Sequence, residues 1–171
     1  MYKRLLRLFK HRWMDNTGRT LRSPVLQRLQ EQVATSEAMH SGEIRICVEA
    51  GLPNSYLLQG EAMPVLLRQR ALVQFGRLGV WDTEANNGVL IYLCLAERAI
   101  ELVADRGVNR LVSEQQWSDL VKRLGAALQQ GQFESGLSQS VAEVSSILVQ
   151  HFPLRPGQKN INELPDAPFL S

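Results

Sequence analysis

Residues 87–107 read NGVLIYLCLAERAIELVADRG: two short apolar runs joined by a polar stretch, entered through Asn87-Gly88 and left through Asp105-Arg106-Gly107. The first run, Val89 to Leu95, is continuously apolar, the pattern of a strand covered on both faces. Ala96-Glu97 reads as a two-residue turn, although it lacks the Asn-Gly or Asp-Gly that such turns prefer. Arg98 to Asp105 then returns antiparallel. The segment predicts a β-hairpin whose first strand lies in the middle of a sheet.

Upstream, Glu43 to Ala50 alternates, with Ile44, Ile46, Val48 and Ala50 on one side and Glu43, Arg45, Cys47 and Glu49 on the other. That spacing predicts a strand with one buried face. A helix follows from about Glu61, with Leu67, Ala71, Phe75 and Leu78 as its apolar stripe and Gly76 and Gly79 closing it. Strand, helix and strand in so short a space predict a right-handed crossover between parallel strands. Ser23-Pro24 marks an earlier helix start, a capping hydroxyl followed by proline, and that helix is expected to run to about His40. Beyond the hairpin, Ser113 and Gln116 form a capping box for a helix carrying Trp117, Leu120, Val121, Leu124 and Leu128 on one side. Gln130-Gly131 breaks it. A last helix from about Phe133 carries Leu137, Val141, Val144 and Leu148 and ends at Phe152-Pro153.

Three segments result. Residues 1–22 form a basic arm and linker, residues 23–152 an α/β domain, and residues 153–171, with four prolines and no periodicity, an extended tail. The arm holds seven basic side chains against Asp15 alone, while the remaining 149 residues hold the other 12 of the 19 basic groups and 16 of the 17 acidic ones. A basic arm on a mildly acidic body does not indicate a nucleic-acid-binding surface. Within the arm, Leu5, Leu6, Phe9 and Trp13 recur at helical spacing with cations between them, an amphipathic helix. Lys3, Arg4, Arg7, Phe9, Lys10, Arg12 and Trp13 are its candidate contacts with an anionic membrane surface or a partner helix. No apolar run approaches the roughly 20 residues that span a bilayer, and Arg7, Lys10 and His11 interrupt any signal-peptide core. The expected location is cytoplasmic, with peripheral contact at the inner membrane through the arm. Cys47 and Cys94 fall in predicted strands among apolar neighbours and are read as buried thiols.

The element order, with Arg70, Ala71 and Phe75, the Leu78-Gly79 turn, Asn87-Gly88-Val89-Leu90-Ile91, the return through Gly107 and the Phe133, Gly136 spacing, resembles the TPM domain. That family takes its name from a thylakoid lumen protein, a photosystem II repair protein and a nematode modulator of acetylcholine receptors. Ser36-Glu37, His40, Gly42-Glu43-Ile44 and Asn162-Glu163-Leu164-Pro165-Asp166 look like a short, soluble bacterial branch of it. The resemblance implies a three-layer α/β/α sandwich with a small mixed sheet. It also implies acid phosphatase activity with Ca2+ or Mg2+ in some members, assembly or repair roles in others, and LemA-type membrane proteins as associates of bacterial relatives. One departure matters. Typical members follow the hairpin with a glycine-rich turn, a glutamate and an aspartate, whereas this chain has Ala104-Asp105-Arg106-Gly107-Val108-Asn109-Arg110, with only Asp105 and Glu114 as nearby acids.

Topology gives two candidate sites. Asp82, Glu84 and Asn87 precede the second strand and Asp105 returns to the same end, so these four are candidate oxygen ligands for a hard cation. Glu37 and His40 share a helix face, with Glu43 just past the turn, a polar cluster suited to metal binding or proton transfer. Each group also has a plain structural reading as a turn former, cap or solvated side chain. No Gly-x-Ser-x-Gly elbow or phosphate-cradling glycine loop is present. The expected function is a non-catalytic TPM-like interaction module acting on a membrane-associated, LemA-like partner; the alternative is a metal-dependent acid phosphatase of low activity.

Overall fold

The computed structural model describes His11 and residues 21–171. In chain order the elements are α1 (Ser23–Glu37), β1 (Glu43–Glu49), α2 (Asn54–Leu57), α3 (Met63–Arg77), β2 (Gly88–Cys94), β3 (Ala99–Ala104), α4 (Arg106–Asn109), α5 (Glu114–Gln129), α6 (Phe133–His151) and β4 (Phe169–Leu170). The sheet runs β3-β2-β1-β4, with β1 parallel to β2 and β4 and with β2 antiparallel to β3. The predicted crossover and hairpin are both present.

Helices α1, α5 and α6 cover one face of the sheet over Ile44, Ile46, Val48, Val89, Ile91 and Leu93. On the other face α2, α3 and the C-terminal segment enclose Cys47, Leu90, Tyr92, Cys94, Leu66, Leu67 and Ala71. All seven residues of β2 are buried, as its unbroken apolar run requires.

Four local expectations are corrected. The hairpin turn has four residues, Leu95 to Arg98, with Arg98 at φ 49° and its N–H bonded to the Leu95 carbonyl at 3.1 Å. Helix α1 ends at Glu37 rather than His40, and its N-cap is Arg22, with no side-chain bond from Ser23 closing it. Strand β1 is buried on both faces, because its polar alternates are covered by α3 and by residues 160–167. The proline-rich tail is not merely extended: Phe169 and Leu170 pair with Cys47 and Val48 as a fourth strand. The capping box at Ser113 and Gln116 is formed as expected.

The hairpin glycines reflect close approach of backbone. A Cβ on Gly88 would lie 2.1 Å from the Val80 carbonyl oxygen, and one on Gly107 would lie 2.4 Å from that of Asn86. Only hydrogen fits in either place. The outer edge of β3 is closed by side chains: Arg68 donates to the Leu102 carbonyl and Asn109 to that of Ala104, both at 2.6 Å. Capping the outward carbonyls in this way blocks addition of another strand.

Candidate functional site

Strand β1 enters the sheet through Gly42-Glu43, and the polar residues around its start gather at that end. Glu37, on the last turn of α1, accepts a hydrogen bond from the Ile44 N–H at 2.8 Å. His40 Nδ1 lies 3.0 Å from the Gly42 carbonyl, which can only accept, so the ring proton is on Nδ1 and Nε2 accepts from the Ser36 hydroxyl at 2.8 Å. Glu43 accepts from Leu164 N–H at 3.1 Å and from Asn160 Nδ2 at 3.2 Å. All three predicted residues are buried. Burial, aided by Glu43 and Asp166 nearby, pushes the Glu37 carboxyl up to about 8. Burial likewise holds His40 neutral, lowering it to about 4. The cluster ties α1, β1 and the tail together, and Glu37 and Asp166 also line a cavity of about 340 Å³ with Asn160 and Asn162.

The second predicted set is not assembled as a ligand group. Asp82 and Glu84 are exposed, and the Glu84 N–H donates to Glu163 Oε2 at 3.0 Å. Asn87 is fully buried, its Nδ2 donating to the Ser41 carbonyl at 2.9 Å. Asp105 caps α4, accepting from Arg106 N–H at 2.6 Å, while the Arg106 guanidinium reaches back to Asn86 Oδ1 at 2.6 Å. Asn87 Oδ1 and Asp105 Oδ2 are buried without a hydrogen-bond partner. Among the described residues no three His, Cys, Asp or Glu side chains form a group able to hold a metal ion. One carboxylate oxygen and one amide oxygen fall short of the six to eight oxygens of a calcium site. By itself this set does not complete the ligand shell of a hard cation.

A third polar constellation is built on an acid whose partners the sequence does not reveal. Glu49, at the carboxyl end of β1, receives Arg70 Nε at 2.8 Å and Nη2 at 2.6 Å, Gln74 Nε2 at 2.6 Å and the Tyr92 hydroxyl at 2.7 Å. Burial alone would raise its carboxyl, but these donors outweigh burial and hold it below its ordinary range. The pairing joins residues 21 positions apart on a strand and a helix. The only sequence signal was an acid on the polar side of β1 and an arginine on the flank of the α3 stripe.

The crevice beyond the carboxyl ends of β1 and β2, where ligands gather in open parallel sheets, holds His11. Its Nδ1 accepts from Leu52 N–H at 2.9 Å and its Nε2 bonds Glu97 Oε1 at 2.8 Å. Burial raises both cysteine thiols to about 12, so neither is a nucleophile near neutral pH. The other arm residues singled out from sequence, Lys3, Arg4, Arg7, Phe9, Lys10, Arg12 and Trp13, lie outside the described residues.

The sequence model of the TPM domain matches residues 15–147. The chain belongs to the TPM domain family. Its fold is shared with the BA42 protein of the psychrophilic bacterium Bizionia argentinensis, solved by NMR, at a TM-score of 0.73 and 25% identity over 88% of this chain and 95% of that one. The N-terminal domain of a P. gingivalis protein, also an NMR structure, aligns at a TM-score of 0.58 and 19% identity over 79% and 83% of the two chains, a likeness of fold alone. No curated protein matches the sequence. Within this TPM domain the described helices include none long and apolar enough to cross a membrane.

Proposed function

We propose that this TPM domain is a non-catalytic interaction module, scaffolding or modulating a membrane-associated, LemA-like protein from the cytoplasmic side. The observation that carries this reading is the commitment of its acids to the scaffold. Glu37 and Glu43 hold backbone N–H groups, Glu49 is locked by Arg70, and Asp105 caps α4 with Arg106 folded beside it. Groups so engaged cannot change partners during a reaction without opening the fold. The basic amphipathic arm supplies the membrane-side contact in this reading. The test is capture of partners from bacterial membranes by the full chain, alongside vesicle flotation with and without residues 1–14. Failure to capture a membrane protein, together with vesicle binding that does not depend on the arm, would refute it.

One observation favours the second reading, a metal-dependent phosphatase: the orphaned oxygens of Asn87 and Asp105. Hydrolysis of a generic phosphate ester that requires calcium or magnesium, and that Asp105→Ala abolishes while Glu37→Ala does not, would establish it over the first.

A further inference from the structure

Strands β1 and β2 are parallel, so the domain has two chemically distinct ends. At the carboxyl end the chain leaves β1 through Ala50-Gly51-Leu52 and leaves β2 through the hairpin turn. At the amino end lie the approaches to both strands, where Asn87 Nδ2 donates to the Ser41 carbonyl. The two described points of the basic arm both fall at the carboxyl end. His11 is 6% exposed there. Its Nδ1 accepts from Leu52 N–H at 2.9 Å, which leaves the ring proton on Nε2, donating to Glu97 Oε1 at 2.8 Å. Gly51 is fitted to this contact, because a Cβ there would lie 2.9 Å from both Nδ1 and the carbonyl oxygen of His11. Leu21, buried in the core, leads into α1. The last turn of α1 reaches Ile44 at the start of β1, so its first turn stands at the carboxyl end.

Charge gives this attachment a consequence. The ten residues before His11 carry Lys3, Arg4, Arg7 and Lys10 and no acid. Beyond residue 22 the chain holds 16 acidic groups against 12 basic ones, so the body by itself is not drawn to an anionic surface. Clustered cations beside an amphipathic segment are. The end of the domain that meets such a surface is therefore set by where the arm leaves it. In the helical spacing read from the sequence, His11 lies about 200° round from Phe9. The side chain that grips the domain is thus on the opposite side from the apolar stripe, and gripping leaves that stripe open to lipid.

We infer that the carboxyl end of the parallel strands is the face this domain turns toward an anionic bilayer, with His11 as the pin that fixes the basic arm there. The inference rests on the proposed membrane contact of the arm and adds its orientation. The amino end, with Glu37, His40, Glu43 and the cavity beside them, then points away from the bilayer. Without the pin, the nine residues 12–20 become additional tether. Extended, they span about 30 Å, more than the length of β1, and let the domain turn over.

The test uses the full chain with a fluorophore at one of two exposed positions. Leu58, whose N–H bonds the Asn54 carbonyl at the end of α2, is at the carboxyl end and 62% exposed. Ile161, which lines a cavity with Ser41 and Glu84, is at the amino end and 76% exposed. The seven residues of β1 separate the two ends by about 23 Å. Leu58→Cys and Ile161→Cys take the label, and the fully buried Cys47 and Cys94 do not compete. On vesicles of equimolar phosphatidylglycerol and phosphatidylcholine with a nitroxide on the headgroup, the label at 58 should lose most of its emission and the label at 161 almost none. Phosphatidylcholine alone should quench neither. His11→Ala removes the pin, and Gly51→Ala expels it while leaving the arm unchanged. With circular dichroism unaltered, both should still float with anionic vesicles, but their two labels should be quenched alike. Equal quenching at 58 and 161 in the otherwise native chain, or stronger quenching at 161, overturns the inference and leaves arm-dependent flotation, and with it the proposed function, standing. An orientation that survives both His11→Ala and Gly51→Ala overturns the pin. Loss of arm-dependent flotation in the native chain removes the membrane contact of the proposed function and this inference together.

Discussion

Glu37→Gln should turn a pH-dependent stability into a flatter one. The Glu37 side chain is buried, its Oε1 takes the Ile44 N–H at 2.8 Å, and its carboxyl titrates near 8 in the fold against 4.5 for the unperturbed group. Between those values the native state holds a proton that the unfolded chain has released. Stability from this group is therefore fully present below about pH 4.5 and is lost as pH rises through about 8. At about 1.4 kcal/mol per pH unit, the loss is on the order of 3 kcal/mol by neutral pH. An amide keeps the acceptor for Ile44 and offers Asp166 a donor in place of a charge. The variant should match the native chain to within about 1 kcal/mol near pH 5 and exceed it by on the order of 5 kcal/mol near pH 9. His40 acts in the opposite sense, because its depressed value means stability lost as pH falls through about 4. That contribution is common to both proteins and cancels in their difference. Urea unfolding followed by circular dichroism at the two pH values, with equal m-values, reads the effect directly. A variant-minus-native difference that is the same at both pH values would refute the reasoning.

Three further outcomes follow from the packing. Arg70→Ala leaves the Glu49 carboxylate buried without its bidentate partner and should cost about 3–5 kcal/mol. Replacing Arg70, Glu49 and Gln74 together by apolar residues of similar volume should cost less than Arg70→Ala alone, as measured by urea midpoint. Gly88→Ala forces a Cβ against the Val80 carbonyl and should destabilise by more than about 2 kcal/mol, with no comparable effect at Gly76, where space is open. Ser113→Ala removes the hydroxyl that accepts from Gln116 N–H at 3.3 Å and should cost about 1 kcal/mol, seen as earlier exchange of amide protons in the first turn of α5.

The candidate site was partly legible because a side chain's neighbours in sequence often set its role. Glu37, His40 and Glu43 lie three residues apart in succession and do meet around the α1–β1 connection. What pattern could not supply was their use: Leu164 N–H and Asn160, more than 100 positions away, complete the shell of Glu43. Strand ends alone group Asp82, Glu84, Asn87 and Asp105. Topology brings chain ends together to within a few residues, but ligation needs side chains aimed at one point. Here two are exposed and one is a helix cap.

By itself the sequence determined the hairpin, the parallel crossover, the capping box and the family. These depend on periodicity, on turn chemistry and on glycines that no other residue can replace. The tertiary structure alone decided that the polar side of β1 is interior, that Arg70 neutralises Glu49, and that the last residues of the tail are a strand. Those outcomes arise from long-range contact, where burial changes what a charged or irregular segment must do. Alternation of polar and apolar residues records which side of a strand faces the first layer of helices. It carries no sign that a second layer will bury the other side and require each charge there to find a partner.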